Sequence, residues 1–166
     1  MRRTDKELTD ENIIHDILSR SSICRLGLVQ DGEVYIVPVN YVYEDGFIYI
    51  HSAAEGKKID IIRGNPHVSF EIEYFSETIK GEIACKWGTK YRSVMGTGTI
   101  AFVVHPDAKK RCLDLLMKKY GESGKPNYDP DALQKVLLLK LRIESRTGKQ
   151  SGNWSKEGRE AAKRGA

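Results

Sequence analysis

The chain has 166 residues, of which 40% are hydrophobic and 30% charged, a length and composition typical of one globular domain. No run approaches the ~18 consecutive apolar residues that a membrane-spanning helix needs. The arginines after the first methionine precede no apolar stretch, so the sequence predicts no secretory signal and a cytoplasmic location. The three cysteines are scattered and form no CxxC pair, which argues against a disulfide framework or a metal site.

The positive charge is concentrated at the C-terminal end. The net charge is +4, and the segment from Lys140 onward carries eight basic and three acidic side chains, so it holds all of the basic excess. We therefore predict a domain over residues 1–147 and a basic tail or flap over residues 148–166. The tail is either a solvated chain end or a flap that closes over an anionic ligand. Aromatic residues do not alternate with these charges, so nucleic acid is not expected as a partner.

The first part of the chain is predicted to form a helix and three strands. Thr9 or Asp10 provides an N-cap, and apolar residues at helical spacing follow as far as Leu18. Two Asp-Gly turns then separate three runs rich in β-branched and aromatic residues. The predicted strands cover residues 23–29, 34–43 and 47–51. Because two tight turns join them, they are predicted to form an antiparallel meander.

The rest of the chain adds three strands. A short helix over 55–64, ended by Asn65-Pro66, precedes a run that alternates apolar and polar residues with a period of two. Pro106 opens another helix at its first turn, and Gly96 and Gly98 indicate a bulge in the strand before it. These strands are predicted over 67–74, 92–104 and 136–143. Six antiparallel strands with few helices predict a mainly β fold, a small antiparallel barrel.

The three cysteines, and two aromatic residues close to Cys85 in the sequence, are expected to pack in the core. Cys24, on an apolar strand, and Cys112, on an apolar helix face, are predicted to be buried. Core packing is also expected for Cys85, Trp87 and Tyr91, with the lining of a pocket as the alternative.

The segment 51–66 carries the first candidate site. A strand is predicted to end at His51 beside the hydroxyl of Ser52, and the helix after it begins near Lys57 and Lys58. Unpaired amides and partial positive charge at a helix N-terminus suit a phosphate, and the two lysines add full charge. The alternative is that the lysines belong to a solvated first turn. His51 is the candidate catalytic residue, and its alternative is an ordinary strand-end histidine.

An ordered set of short motifs adds a family resemblance. The motifs are Cys24-Arg25-Leu26-Gly27, Tyr35-Ile36-Val37-Pro38-Val39-Asn40-Tyr41, His51-Ser52-Ala53-x-x-Gly56-Lys57-Lys58, Asn65-Pro66 and Tyr91-Arg92-Ser93-Val94. Over residues 1 to 150 the set closely resembles the nitroimidazole-resistance proteins among the pyridoxamine 5′-phosphate oxidase-like flavoproteins. The resemblance implies a six-stranded antiparallel split β-barrel, a homodimer, and FMN bound non-covalently at the subunit interface, with FAD as an alternative.

The resemblance also implies which residues bind the cofactor. The strand around Asn40 lies along the flavin, the lysine pair holds the 5′-phosphate, and Ser93 reaches the ring edge from the second subunit. The element Thr147-Gly148-Lys149 approaches the same site. The implied cofactor-binding residues are Val39, Asn40, His51, Ser52, Lys57, Lys58, Ser93 and Lys149. The strand over 37–41 has no basic residue, unlike the oxidase branch of the superfamily, and this argues against vitamin B6 oxidation.

The residues and the resemblance together predict an FMN-binding oxidoreductase that acts on a small molecule, with nitroimidazole-type nitro compounds as one substrate class. Two alternatives stay open: a flavin-binding module without turnover, which acts as a sensor or carrier, and a barrel without a cofactor that binds a protein or an anionic polymer through its basic tail. No Ser/His/Asp arrangement indicates hydrolysis. The sequence leaves the electron donor and the substrate open.

Overall fold

The computed structural model describes residues 3–124 and 126–154, and these form four α-helices and eight β-strands. The helices are α1 (Glu11–Arg20), α2 (Lys57–Gly64), α3 (Pro106–Lys119) and α4 (Pro130–Lys135). Asp10 caps α1, since its Oδ1 accepts hydrogen bonds from the amides of Asn12 and Ile13 at 2.9 and 3.3 Å. The predicted helix starts at Asp10 and Pro106 are therefore confirmed.

The strands form one antiparallel sheet. They are β1 (Glu7–Leu8), β2 (Ile23–Gln30), β3 (Glu33–Asn40), β4 (Val42–Glu44), β5 (Phe47–Ser52), β6 (His67–Ile79), β7 (Gly88–Phe102) and β8 (Leu137–Ser151). Their order is β3-β2-β6-β7-β8-β5-β4, and β1 pairs with β8 outside this order. The sheet curls until β3 approaches β5 without pairing with it. The fold is thus a split barrel that is not closed, as predicted, with eight strands instead of six.

The predicted antiparallel meander is wrong, because the strand predicted over 34–43 is interrupted at Tyr41. β3 pairs with β2, whereas β4 pairs with β5 at the opposite end of the strand order. The side chain of Tyr41 is fully buried, and its hydroxyl donates a 2.7 Å hydrogen bond to the carbonyl of Leu18 in α1. Both Asp-Gly turns are confirmed, with positive φ values at Asp31, Gly32, Asp45 and Gly46.

Three strands are longer than the sequence pattern predicts. β6 continues to Ile79, β7 begins at Gly88, and β8 runs to Ser151 instead of ending at residue 143. β8 continues because β7 pairs with it from Leu139 to Ser151 and β1 pairs with it at Gly148 and Lys149. Residues 148–151 of the predicted tail therefore belong to a strand, and residues 155–166 lie outside the described residues.

The predicted bulge at Gly96 and Gly98 is confirmed. The register between β7 and β8 shifts between Thr97 and Gly98. A Cβ atom at Gly96 would stand 2.1 Å from the carbonyl oxygen of Ser145, and one at Gly98 would stand 2.1 Å from that of Arg142. Glycine is therefore required at both positions by the close approach of β8.

α1 supplies part of the main core. Ile14, Ile17 and Leu18 pack with the inward-facing apolar residues of β2, β5, β6, β7 and β8. The prediction that Cys24 and Cys112 are buried is confirmed.

Core packing is the wrong prediction for Cys85 and Trp87. Cys85 is exposed, and Trp87 is 51% exposed. Both lie in the connection between β6 and β7, where the indole N–H of Trp87 donates to the carbonyl of Gly81 at 2.9 Å. Among the described residues, no helix is long and apolar enough to cross a lipid bilayer.

Candidate functional site

The start of α2 offers unpaired backbone amides. Gly56 is the N-cap, with a φ of 118° that disfavours any side chain, and it makes no side-chain cap. Its carbonyl accepts hydrogen bonds from the amides of Ile59 and Asp60 at 2.8 and 3.1 Å. The amides of Lys57 and Lys58, at the first two positions, have no acceptor within the helix. An anion can take these donors and also gains from the helix dipole.

Both lysines are held at this end of the helix. The Nζ of Lys57 lies 5.0 Å from the ring centroid of Tyr35, a cation–π contact that ties α2 to β3. Lys58 is half-buried, and burial lowers the pKa of its ammonium group. A bound anion would offset the cost of burying this charge. The half-burial of Lys58 is compatible with a phosphate here, whereas the exposure of Lys57 also fits a solvated first turn.

β3 has an open edge that carries Asn40. In a hairpin closed by a two-residue turn, alternate residues direct their N–H and C=O groups away from the partner strand. Counted from the turn at residues 31–32, these outward residues are Val34, Ile36, Pro38 and Asn40. Asn40 thus offers open backbone groups as well as an exposed amide, whereas Val39 is buried against the core.

β5 ends with His51 and Ser52, and four residues separate its end from the start of α2. Ser52 is buried and His51 is exposed. Because β5 approaches β3, and Lys57 contacts Tyr35 of β3, the end of β5 lies near the open edge and the helix start. We call this group the α2 half-site, which consists of Tyr35, Val39, Asn40, His51, Ser52, Lys57 and Lys58.

Ser93 and Lys149 form a second group, which we call the β7–β8 half-site. The two residues are direct partners across β7 and β8, and Ser93 is buried. His51 pairs with Leu138 near the start of β8, and Lys149 follows Leu138 by eleven residues. At ~3.3 Å per residue this is about 35 Å along the strand. Along β8, Ser93 and Lys149 therefore lie far from His51 and Ser52 of the same chain.

The sheet has an exposed apolar surface, which we call the outer face. Its apolar members are Ile23, Val29, Val34, Ile36 and Met95, which are 40–66% exposed. Met95 and Pro38 lie in the same row across the strands. Pro38 pairs with Arg25, Arg25 pairs with Glu71, and Glu71 pairs with Met95. Side chains two residues apart share a face, so Asn40 and Ser93 lie on this same surface. The outer face thus carries part of both half-sites.

The chain beyond Lys149 packs on its own sheet as far as Trp154. It turns at Gly152, which has a φ of 87°. The Trp154 ring centroid lies 3.9 Å from the guanidinium carbon of Arg92 and 5.4 Å from the ring of Phe75. The remainder of the predicted flap lies outside the described residues.

Two aromatic side chains join the half-sites without having been predicted there. Tyr35 alternates along β3 with Val37 and Val39, a pattern that was readable in the sequence. Tyr91 was expected in the core, but it is only half-buried, and Lys6 and Lys149 flank it. No sequence signal links Lys6 to Tyr91, because β1 and β7 meet only through their common partner β8.

A cavity of about 540 Å³ lies elsewhere, between α3 and the residues that follow it. Lys110, Asp114 and Lys118 line it from the helix. None of the predicted cofactor-binding residues is among its lining residues, so the cavity is separate from both half-sites.

The fold defines a split-barrel protein, and its predicted cofactor residues fall into two groups. A family model described as Pyridoxamine 5'-phosphate oxidase matches residues 10–150. The chain belongs to this family. The resemblance predicted from the sequence is therefore confirmed for family and fold.

Individual proteins also resemble the chain. A candidate 5-nitroimidazole antibiotic resistance protein from Bacteroides thetaiotaomicron VPI-5482 is 26% identical, and the match covers 86% of this chain and 85% of that one with a TM-score of 0.77. An FAD and heme binding protein from Mycobacterium smegmatis is 20% identical over 97% of this chain and 80% of that one, with a TM-score of 0.81, a likeness in fold alone. The protein RA0666 of Rhizobium meliloti (strain 1021) is 35% identical over 60 residues, which are 36% of this chain and 39% of that protein.

Proposed function

We propose that the protein is a homodimeric flavoprotein that binds FMN between its subunits and acts as an oxidoreductase on small molecules. The observation that carries this proposal is the division of the predicted cofactor residues into two half-sites. One half-site suits a phosphate, Ser93 and Lys149 of the other lie about 35 Å from His51 along β8, and both half-sites extend onto one exposed apolar face.

The α2 half-site fits the phosphate end of FMN. The first amides of α2 supply hydrogen-bond donors without an intrahelical acceptor, and Lys57 and Lys58 supply two positive charges. FMN carries one doubly charged phosphate, which matches this set. The open edge of β3 at Asn40 supplies donors and acceptors for the polar atoms of the cofactor. Val39 packs in the core and fixes the position of this strand end.

The β7–β8 half-site fits as the contribution of a second subunit. Pairing two copies through the outer face would cover the exposed Val34 and Ile36. In such an isologous pair each surface patch is used twice, so two equivalent sites form. Ser93 and Lys149 of each chain would then face the α2 half-site of the other.

When bound, a flavin supplies reversible one- and two-electron chemistry, and the protein supplies binding, orientation and electrostatics. Lys57 and Lys58 would anchor the phosphate, Asn40 would orient the cofactor, and Lys149 would place positive charge near its ring. The family of pyridoxamine 5'-phosphate oxidase supports an oxidoreductase role, and the likeness to the candidate 5-nitroimidazole antibiotic resistance protein supports nitro compounds as one substrate class. His51 is exposed at the end of β5, where it is available to an incoming substrate.

The direct test is the cofactor of the purified protein. We expect flavin absorption bands and a released cofactor with the mass of FMN. We also expect the bands to bleach under a nicotinamide donor and to return when a nitro compound is added. A colourless protein that takes up neither FMN nor FAD would contradict the proposal. Bands that no donor bleaches would favour a non-catalytic flavin module instead.

The phosphate assignment is tested by Lys57→Ala together with Lys58→Ala. A charge-assisted contact is worth roughly 1.5–3 kcal/mol, so losing two should weaken FMN binding by a factor on the order of a hundred or more. The matched control is Lys86→Ala with Lys118→Ala, two exposed lysines outside both half-sites. Equal FMN affinity in the two double variants, measured by fluorescence titration, would reject the phosphate assignment.

A further inference from the structure

Three side chains from different elements meet beside Ser93. Tyr91 lies two residues before Ser93 in β7, so both side chains lie on the outer face. The Nζ of Lys149 in β8 lies 5.8 Å from the Tyr91 ring centroid, and the Nζ of Lys6, just before β1, lies 6.0 Å from it. We call these three residues the Tyr91 cluster.

The lysines of the Tyr91 cluster do not cover its ring closely. Where a lysine in this chain covers a ring closely, its Nζ is much nearer: 3.7 Å for Lys140 over Phe47 and 3.9 Å for Lys119 over Tyr41. Both cations at Tyr91 stand about 2 Å farther out, at the limit of a cation–π contact. Tyr91 is only half-buried, so a planar group that stacks on the open part of its ring would bring its substituents near the two ammonium groups.

The charge around the cluster is positive and incompletely paired. Among the ion pairs of the described residues, none includes Lys6 or Lys149. Asp5, the acid next to Lys6, is held by Arg3 through two hydrogen bonds of 2.8 and 2.7 Å. The other nearby charges, by strand register and sequence, are Glu7, Glu73, Lys90 and Arg92. An anion would relieve the repulsion between the two lysines.

We infer that Lys6, Tyr91 and Lys149 form a binding subsite for a planar small molecule that carries an anionic group. The inference rests on the proposed function, since it places this molecule beside the cofactor as its redox partner. The anionic group belongs either to a carboxylated aromatic acceptor or to the phosphates of a nicotinamide dinucleotide donor.

The experiment compares Lys6→Ala with wild type by isothermal titration of 4-nitrobenzoate, nitrobenzene and NADP⁺. The matched control is Lys80→Ala, which removes a lysine 5.7 Å from the Trp87 ring, outside the cluster. We expect Lys6→Ala to weaken binding of at least one of the two anions about two- to fivefold, as for an exposed charge pair. Nitrobenzene affinity and the flavin content should stay at the wild-type level. Lys6→Arg should restore anion binding, and added salt should shrink the difference between the variants.

The two anions distinguish the two sources. A loss confined to 4-nitrobenzoate assigns the subsite to the acceptor, and a loss confined to NADP⁺ assigns it to the donor. Unchanged anion affinity, or equal losses for the anions and nitrobenzene, would overturn the inference. A protein without flavin would contradict the proposed function alone, because these titrations are read as heat and need no bound cofactor.

Discussion

Replacing Ile36 by glutamate should separate the two subunits. Ile36 is 65% exposed in the single chain, at the open edge of β3 and on the outer face. Fully burying an isoleucine is worth roughly 1.5–3 kcal/mol, so covering this fraction is worth about 1–2 kcal/mol. In an isologous interface Ile36 of both subunits is buried, so this free energy is lost twice. Burying the introduced carboxylate adds a desolvation cost. The dimer dissociation constant should therefore rise by a factor of about 100 or more.

The assay is light scattering coupled to size-exclusion chromatography over a range of protein concentrations, with flavin content measured across each peak. The matched control is Val104→Glu, which places the same charge on a valine that is 80% exposed between β7 and α3. Wild type and Val104→Glu should be dimeric and yellow, and Ile36→Glu should be monomeric and depleted of flavin. A dimeric Ile36→Glu protein would refute the outer face as the interface. A monomeric Ile36→Glu protein with full flavin content would refute the shared site.

Three further predictions concern the fold. Tyr41→Phe removes the buried hydrogen bond to Leu18 and should cost about 1–2 kcal/mol in urea unfolding; a cost near zero would contradict this. Gly96→Ala should cost about 3 kcal/mol or more because its Cβ meets β8, whereas Gly88→Ala, with open space, should change stability little. Burial lowers the pKa of Lys119 to about 8, so between about pH 8 and 10 the unfolded chain binds more protons and this residue makes stability rise with pH. The difference in unfolding free energy between wild type and Lys119→Met should show that slope, and a difference that is flat with pH would refute it.

The turns and most helix starts could be predicted because their signals are local. Asp10 caps α1 through its own side chain, and the two Asp-Gly turns need only the left-handed conformation that these residues tolerate. The break at Tyr41 could not be predicted in this way. Residues on both sides of it have the same β-branched and aromatic pattern, and the contacts that hold Tyr41, among them its bond to Leu18 in α1, come from residues distant in the sequence.

The ends of β6 and β8 were missed because burial does not define them. The residues of β8 after Ile143 are mostly polar, and their pairing with β7 and β1 holds them in the sheet. A search for apolar alternation cannot detect such a strand.

The candidate site was partly readable from the sequence. The lysine pair at a helix start is a local signal, and the structure adds Tyr35 as the contact of Lys57. The grouping of Ser93 with Lys149 depends on the register between β7 and β8, which the sequence does not state.

The measurement that tests the shared flavin site most directly is complementation between two defective chains. One chain carries Lys57→Ala and Lys58→Ala, and the other carries Ser93→Trp, which would block the β7–β8 half-site. Each variant alone should purify without flavin. A heterodimer, selected through two different affinity tags, has two flavin sites. One is built from two intact half-sites, and the other is built from two damaged half-sites. It should hold about half of the wild-type amount of flavin. A heterodimer without flavin would contradict a site built from two chains.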